Sequence, residues 1–288
     1  MNSQSGVATP SLANVCRRIR EISTLPHIAL MVVEVANRPD SGARELKEVM
    51  EVDAALTTRV MRCVNSSAYG LRRRITNLQQ AISYLGINTI RNLAMTISVS
   101  QLFREAQGYG AYSRQGLWRH LVAVGICARL IAMRTRSNHF EDVYLAGLLH
   151  DIGIILEDQY AHAPFTRLVE GLQPGRTLPE VEREQLGFDH TALGGEIART
   201  WKMPNGISDT IQYHHDALNY TGKYGETIYC VEVANFICSL KDLTSVGIQL
   251  VAFPRDAILA LGLGKMDLVV IAEDLDREMI NKQDLFQI

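Results

Sequence analysis

Five of the eight histidines in this chain stand along its second half in the company of acids: His120, His150-Asp151, His190 and His214-His215-Asp216. Imidazole with carboxylate is the ligand mixture used by iron, manganese, nickel and zinc sites. The pattern predicts a divalent transition metal, held as one ion or two, with His120, His150, Asp151, His190, His214 and His215 as candidate ligands. Twenty residues beyond His215 the chain has an amide, Asn235. Its oxygen is a weak candidate ligand, because it lacks the charge with which a carboxylate binds a hard cation.

Each position also has a plainer reading. His120 lies among Trp118, Leu121, Val124 and Cys127, and His150-Asp151 lies in the apolar stretch from Ala146 to Gly153. Burying an imidazole beside an ionised carboxylate is costly without strong partners. A divalent metal is such a partner, and Asp151 can bridge two ions. A buried His-Asp hydrogen bond joining two helices is the alternative. His190 follows Asp189 at a helix start, where a lone histidine commonly caps or faces solvent. His214-His215-Asp216 closes a helix, and the helix dipole there accounts for one such group but hardly for two beside an acid. His27, His139 and His162 fall outside the pattern and read as surface or packing residues.

The elements that must position these side chains are helical. Apolar residues recur at helical spacing nearly throughout, with little period-two alternation, so the fold class is all-α. The spacing predicts helices over 11–23, 26–37, 42–51, 54–67, 77–85 and 87–104 in the first half. In the second half it predicts 113–136, 140–149, 151–161, 179–187, 190–201, 206–216, 224–242, 255–261 and 267–282. Pro26 opens the second helix, the hydroxyl of Ser41 can cap the third, and Asp53 can cap the fourth. Thr76-Asn77-Leu78-Gln79 has capping-box spacing, and Gly86 suits a left-handed cap. The glycine-rich stretch Gln107 to Gly110 marks a lobe boundary. The expected organisation is a flexible tail over 1–10, an N-terminal helical lobe over 11–110 and a C-terminal lobe over 111–288.

Composition narrows the function classes. With 47% hydrophobic and 21% charged residues the 288-residue chain reads as a soluble globular protein with a well-buried core. A formal charge of −2 gives no global attraction to nucleic acid or anionic membrane, so neither is an expected partner. The one dense basic run, Arg72-Arg73-Arg74, reads as a solvated interhelical loop rather than a phosphate-binding loop. Five scattered cysteines without C-x-x-C spacing suit a reduced, cytoplasmic location, and no apolar run is expected to span a bilayer.

The order His, His-Asp, His, His-His on a helical background resembles the HD superfamily of metal-dependent phosphohydrolases. The first half points to one branch. Leu25-Pro26, Pro39-Asp40-Ser41, Val52-Asp53-Ala54-Ala55-Leu56-Thr57, Val64-Asn65-Ser66-Ser67-Ala68-Tyr69-Gly70 and Ala81-Ile82-Ser83-Tyr84-Leu85-Gly86 together resemble the HDOD signature, from Leu25 to Ala217. The resemblance implies an HD-domain-like helical bundle with an N-terminal helical lobe, found in bacterial signalling and regulatory proteins. Many members of that branch have lost the metal ligands and act through protein contacts. This chain keeps six of them.

It also departs from the related HD-GYP enzymes. Gly116 stands where they place a glutamate before the first histidine, Asn235 replaces their last aspartate, and no Gly-Tyr-Pro loop follows His215. The resemblance leaves Asp151, His190 and His214 for one metal and His120, His150 and a bridging Asp151 for a second. Lys202 and Lys223 are the nearest cations in sequence for gripping a phosphodiester, though both read as surface lysines. Three functions remain open. The preferred one is a regulatory module that keeps a metal and binds a protein partner or a nucleotide-type ligand. The others are a phosphohydrolase acting on a nucleotide or cyclic dinucleotide, and a metal-free interaction scaffold.

Overall fold

Leu46 and Met50, Leu56, Val60 and Val64, and Leu78, Ala81 and Ile82 follow one another at helical spacing, and each set is buried on one face of its own helix. The computed structural model describes residues 11–22, 27–38, 40–66, 69, 73–105, 107–282 and 285. The expected tail over 1–10, the Pro26 helix start, Pro39, Arg72 and the Ser67, Ala68 and Gly70 positions lie outside them. The first half forms α1 (Leu12–Ile22), α2 (His27–Asn37), α3 (Ala43–Glu51), α4 (Ala54–Val64), α5 (Leu78–Leu85) and α6 (Ile87–Val99). A 3-10 turn, Ser100–Phe103, follows, then a small antiparallel pair, β1 (Gly108–Tyr109) with β2 (Tyr112–Ser113).

The second half forms α7 (Arg114–Arg134), α8 (Phe140–Leu149), α9 (Ile152–Tyr160), α10 (His162–Glu170), α11 (Leu178–Leu186) and α12 (His190–Thr200). It continues with α13 (Asn205–Tyr213), α14 (Gly225–Leu240), α15 (Arg255–Ala260) and α16 (Lys265–Asn281). The fold is all-α, as the periodicity predicts.

Several local expectations are corrected by where hydrogen bonds go. Helix α10 is not predicted by the spacing, because Pro164 and the polar residues around it weaken the apolar pattern. The fourth helix stops at Val64 rather than 67, where Asn65 takes over as its C-terminal cap. Asn77, not Thr76, caps α5 by accepting from the Gln80 N–H at 2.9 Å, while the Gln80 side chain accepts from the Thr76 N–H at 3.2 Å. The Ser41 hydroxyl does not cap α3. It donates back to the Val35 and Arg38 carbonyls at the end of α2. Asp53 does cap α4, accepting from the Leu56 N–H at 2.9 Å.

Two apolar clusters organise the packing. The smaller gathers Val32, Leu46, Met50, Val60, Val64, Ile82, Ile90 and Leu93 from α2 to α6. The larger surrounds α7 and also takes in Val15 and Ile19 of α1. By length and hydropathy α7 could cross a membrane, contrary to the sequence-based expectation, but most of it is buried inside the fold as the central core helix. Helix α8 lies against it so closely that a Cβ at Gly147 would stand 3.0 Å from the Gly125 Cα and the Val124 carbonyl oxygen.

A polar seam ties the two clusters together at the start of α8. Buried Arg91 of α6 pairs with Asp142 at 2.8 Å, Asn92 donates to the Glu141 carboxylate at 2.7 Å, and the Thr96 and Tyr144 hydroxyls meet at 3.0 Å. At the other end of the core, the buried Asp158 of α9 accepts from Arg114 Nε at 2.6 Å and from the Tyr112 hydroxyl at 3.0 Å. That carboxylate anchors the beginning of α7 to the end of α9.

The starts of α9 and α12 meet at Gly153, where a Cβ would stand 2.0 Å from the His190 carbonyl oxygen. Only a hydrogen fits there, so Gly153→Ala must push two helix starts apart. Urea denaturation should show a loss of about 2–3 kcal/mol, the upper part of the overpacking range.

Candidate metal centre

Five helices deliver one cluster. His120 projects from α7, His150 ends α8, Asp151 begins α9, His190 opens α12 and His214-His215 follow the end of α13. Local chemistry sets several of these positions. Asp189 caps α12 by accepting from the Ala192 N–H at 2.9 Å, which fixes His190 as the first helical residue. His120, His150, Asp151, His190 and His214 are all essentially without solvent exposure, whereas His215 is half-buried.

The two oxygens of Asp151 divide the cluster. Oδ1 lies 3.2 Å from His190 Nε2 and 3.1 Å from His214 Nε2. Oδ2 lies 3.5 Å from His120 Nε2 and 3.3 Å from His150 Nε2. Ligand atoms of Asp151, His190, His214 and His215 form one group, those of His120, His150 and Asp151 a second, each within 4.8 Å. All six predicted residues are thus brought together. Their arrangement is two half-sites sharing one carboxylate.

The donor set fits a cation. The Nδ1 atoms of His120, His150 and His214 contact the carbonyl oxygens of Leu243 at 2.7 Å, Gly147 at 2.7 Å and Ile211 at 3.0 Å. A carbonyl only accepts, so Nδ1 carries the ring proton in each and Nε2 of the neutral ring presents a lone pair. His120 Nε2 and His150 Nε2 then face each other at 3.3 Å beside a carboxylate oxygen. Burial pushes His150 down to about 4, and a cation between the two rings would satisfy that meeting of lone pairs. His190 Nε2 is likewise buried without a hydrogen-bond partner among the described residues, although it lies near Asp151.

Charge around His190 is set by residues that the sequence reading does not pick out. Glu182 of α11 accepts from the His190 Nδ1 at 2.7 Å and from its backbone N–H at 3.0 Å. Burial disfavours a charged His190, but the Glu182 and Asp151 carboxylates outweigh it and hold the ring well above its ordinary range, so a cation at Nε2 would bind in place of a proton. Glu157 of α9 lies beside Glu182, fully buried, with neither carboxyl oxygen hydrogen-bonded among the described residues. Burial, then the neighbouring Glu182 carboxyl, drives Glu157 well above the usual carboxylate range. A signal for Glu182 exists in the sequence, since Leu178, Glu182 and Leu186 form one buried stripe of α11 at four-residue spacing.

A cleft of about 640 Å³ opens onto the cluster, lined among others by Thr177, Arg183, His214, His215, Glu232 and Asn235. Buried Asn235 thus lines the same cleft as the histidine pair, its Oδ1 3.5 Å from the Ser239 hydroxyl. Gly116 lies one turn before His120 and donates its N–H to Ser113 Oγ at 3.0 Å, offering no side chain. Lys202 and Lys223 are exposed and do not line the cleft. Its lining cation is Arg183, which is engaged by Asp189.

The HDOD domain model matches residues 22–217. The chain belongs to the HDOD family. An HDOD domain protein of unknown function from Geobacter sulfurreducens is 28% identical and superimposes with a TM-score of 0.78, covering 96% of this chain and 97% of that one. A candidate phosphohydrolase from Shewanella amazonensis SB2B shares the HDOD fold at TM-score 0.71 and 21% identity, covering 95% and 97%. A candidate signal transduction protein from Marinobacter aquaeolei VT8 does so at 0.70 and 23%, covering 91% of this chain and 57% of that one. An uncharacterized protein of Treponema pallidum (strain Nichols) is 24% identical over 237 residues, 81% of this chain. The HDOD chain spans 45% of that relative's length.

Glu232, on the cleft wall, is pushed up to about 7 by burial and then by Asp256. A carboxyl raised in the folded state contributes stability below its unfolded value, and that contribution is lost as pH rises through 7. Glu232→Gln should leave stability near pH 4 unchanged and raise it at pH 8 by about 1–2 kcal/mol, after discounting for partial exposure. Paired denaturation curves at the two pH values measure the difference.

Proposed function

We propose that this chain is an HDOD regulatory module that holds a divalent transition metal, as one ion or two, in a degenerate HD-type site. In this reading it acts in the cytoplasm, through contacts with a protein partner in a signalling pathway or with a nucleotide-type ligand. One observation carries the metal assignment. Four buried imidazoles turn their Nε2 atoms toward the two oxygens of Asp151, and their Nδ1 atoms are engaged by three carbonyls and a carboxylate.

Asp151, His190, His214 and His215 would hold one ion, and His120, His150 and the other oxygen of Asp151 a second. Glu182 fixes the His190 ring so that Nε2 is the ligating atom. A bound divalent metal supplies Lewis acidity and, at an open position, a water acidified toward neutral pH. Asn235 could add only a neutral oxygen. Five scattered cysteines without C-x-x-C spacing accord with a reducing compartment.

Regulation is preferred over turnover because both end acids are replaced, by Gly116 and Asn235, and because the cleft's arginine is engaged by Asp189. The cleft over His214 and His215 favours a second reading, a metal-dependent phosphohydrolase, since a small phosphodiester could reach the site.

Elemental analysis of protein purified without a histidine tag should find iron, manganese, nickel or zinc, and Asp151→Ala should lose it. Metal below a tenth of an equivalent in the parent protein would leave the metal-free scaffold as the reading. Glu182→Gln should keep the fold and weaken metal affinity about 10–100-fold, as removal of an outer partner of a ligand histidine does. Competition with a chromophoric chelator reads that change directly. Hydrolysis of bis-p-nitrophenyl phosphate by metal-loaded protein, abolished in Asp151→Ala, would establish the enzymatic reading instead.

A further inference from the structure

The first-half bundle carries a groove of about 1000 Å³ on the face of α4, separate from the metal cleft. One wall is α4 itself, with Thr57, Thr58, Met61 and Arg62, and the other is the segment Arg73 to Thr76. That segment is held by one side chain. Asn65 donates from Nδ2 to the Met61 carbonyl at 2.9 Å and to the Ile75 carbonyl at 3.0 Å, and its Oδ1 accepts from the Ile75 N–H at 2.8 Å. The amide thus imitates a strand partner, and Arg73 and Arg74 are presented beside Arg62 on a fixed backbone.

Among the described residues the cations of this groove lack counter-charges. Arg62, Arg73 and Arg74 are exposed, and none has a carboxylate partner among the described residues. The acids of neighbouring α3 are committed elsewhere: Glu45 to Arg38, Glu48 to Arg44 and Glu51 to Lys47. Positive charge continues past the groove, because Arg62 also borders a second cleft with Arg59, Thr96 and Ser100. Burial, and then the nearby Arg104, lower the Arg59 guanidinium from its ordinary value, with Arg62 adding to the effect. Between the arginines, half-buried Met61 and Ile75 leave an apolar floor.

We infer that this groove binds an acidic peptide segment of a protein partner, with carboxylates on Arg62, Arg73 and Arg74 and an aliphatic side chain over Met61 and Ile75. Two features favour a peptide over a nucleic acid. Among the described residues no aromatic side chain lines the groove, so bases have no stacking surface there. A formal charge of −2 gives the chain no global attraction to a long polyanion, so binding depends on this local groove. The inference rests on the regulatory reading and supplies the partner chemistry that reading requires. It uses none of the metal ligands.

Fluorescence anisotropy with a fluorescein-labelled peptide of repeating Glu-Glu-Leu triplets tests it on the full chain. Binding should weaken at least tenfold in the triple variant R62E/R73E/R74E and in the neutral R62Q/R73Q/R74Q, which guards against misfolding of the first. The matched control R17E/R167E/R255E, which reverses three exposed arginines elsewhere, should bind within twofold of the parent. Equal weakening in groove and control variants would overturn the site, as would tighter binding of an oligothymidylate than of the peptide. Full displacement of the peptide by equimolar pyrophosphate would overturn the peptide assignment in favour of a small phosphate ligand. Metal content of the same variants should be unchanged. Loss of peptide binding with metal retained supports the groove, whereas a metal-free parent that still binds peptide removes only the metal reading.

Discussion

One buried carboxylate organises this molecule. Asp151 is 1% exposed, and an ionised group at that depth is tolerated only when its surroundings supply compensating charge or hydrogen bonds. The helices α7, α8, α12 and α13 each bring an imidazole to it, and the capping of α12, the tight α7–α8 contact and the side-chain-free meeting at Gly153 make that convergence geometrically feasible. The core is apolar almost everywhere else, so its polar residues gather at few points. The imidazole cluster, the Arg114–Asp158 anchor and the α6–α8 seam account for much of the buried charge.

The two acids behind His190 give the centre its asymmetry. Glu182 holds the ring, while burial and the Glu182 carboxyl beside it push Glu157 well above the usual carboxylate range. Here the His190 ring rests on a carboxylate, whereas the His120, His150 and His214 rings rest on backbone carbonyls. Of the two half-sites, the one with His190 is therefore electrostatically the richer, before His215 is considered.

Much of this was legible in the sequence, for identifiable reasons. Helix type followed from apolar spacing, and Asp53 announced its helix start because a short carboxylate before an apolar run satisfies free N–H groups. The grouping of His120, His150, Asp151, His190, His214 and His215 followed from chemistry, since no apolar stretch carries such residues without reason. Glu157 and Glu182 were not legible in the same way. Acids in helices normally face solvent, and only the buried stripe from Leu178 to Leu186 distinguishes Glu182. Thr76 and Asn77 illustrate a different limit, because two adjacent residues can both cap and backbone direction decides between them. Similarly, Ser41 turned toward the helix behind it rather than the one ahead.

Helix α8 belongs to both ends of the molecule. Its first turn carries Glu141 and Asp142, held by Asn92 and Arg91 of the first-half bundle, and its last residue is followed directly by His150 and Asp151. Ten residues of α-helix form a stiff rod about 15 Å long. A rod clamped at both ends cannot slide at one without straining the other. The seam and the centre therefore share a single mechanical coordinate, and the spacing of ligands around Asp151 is referenced to the first-half bundle as firmly as a bearing is to its housing.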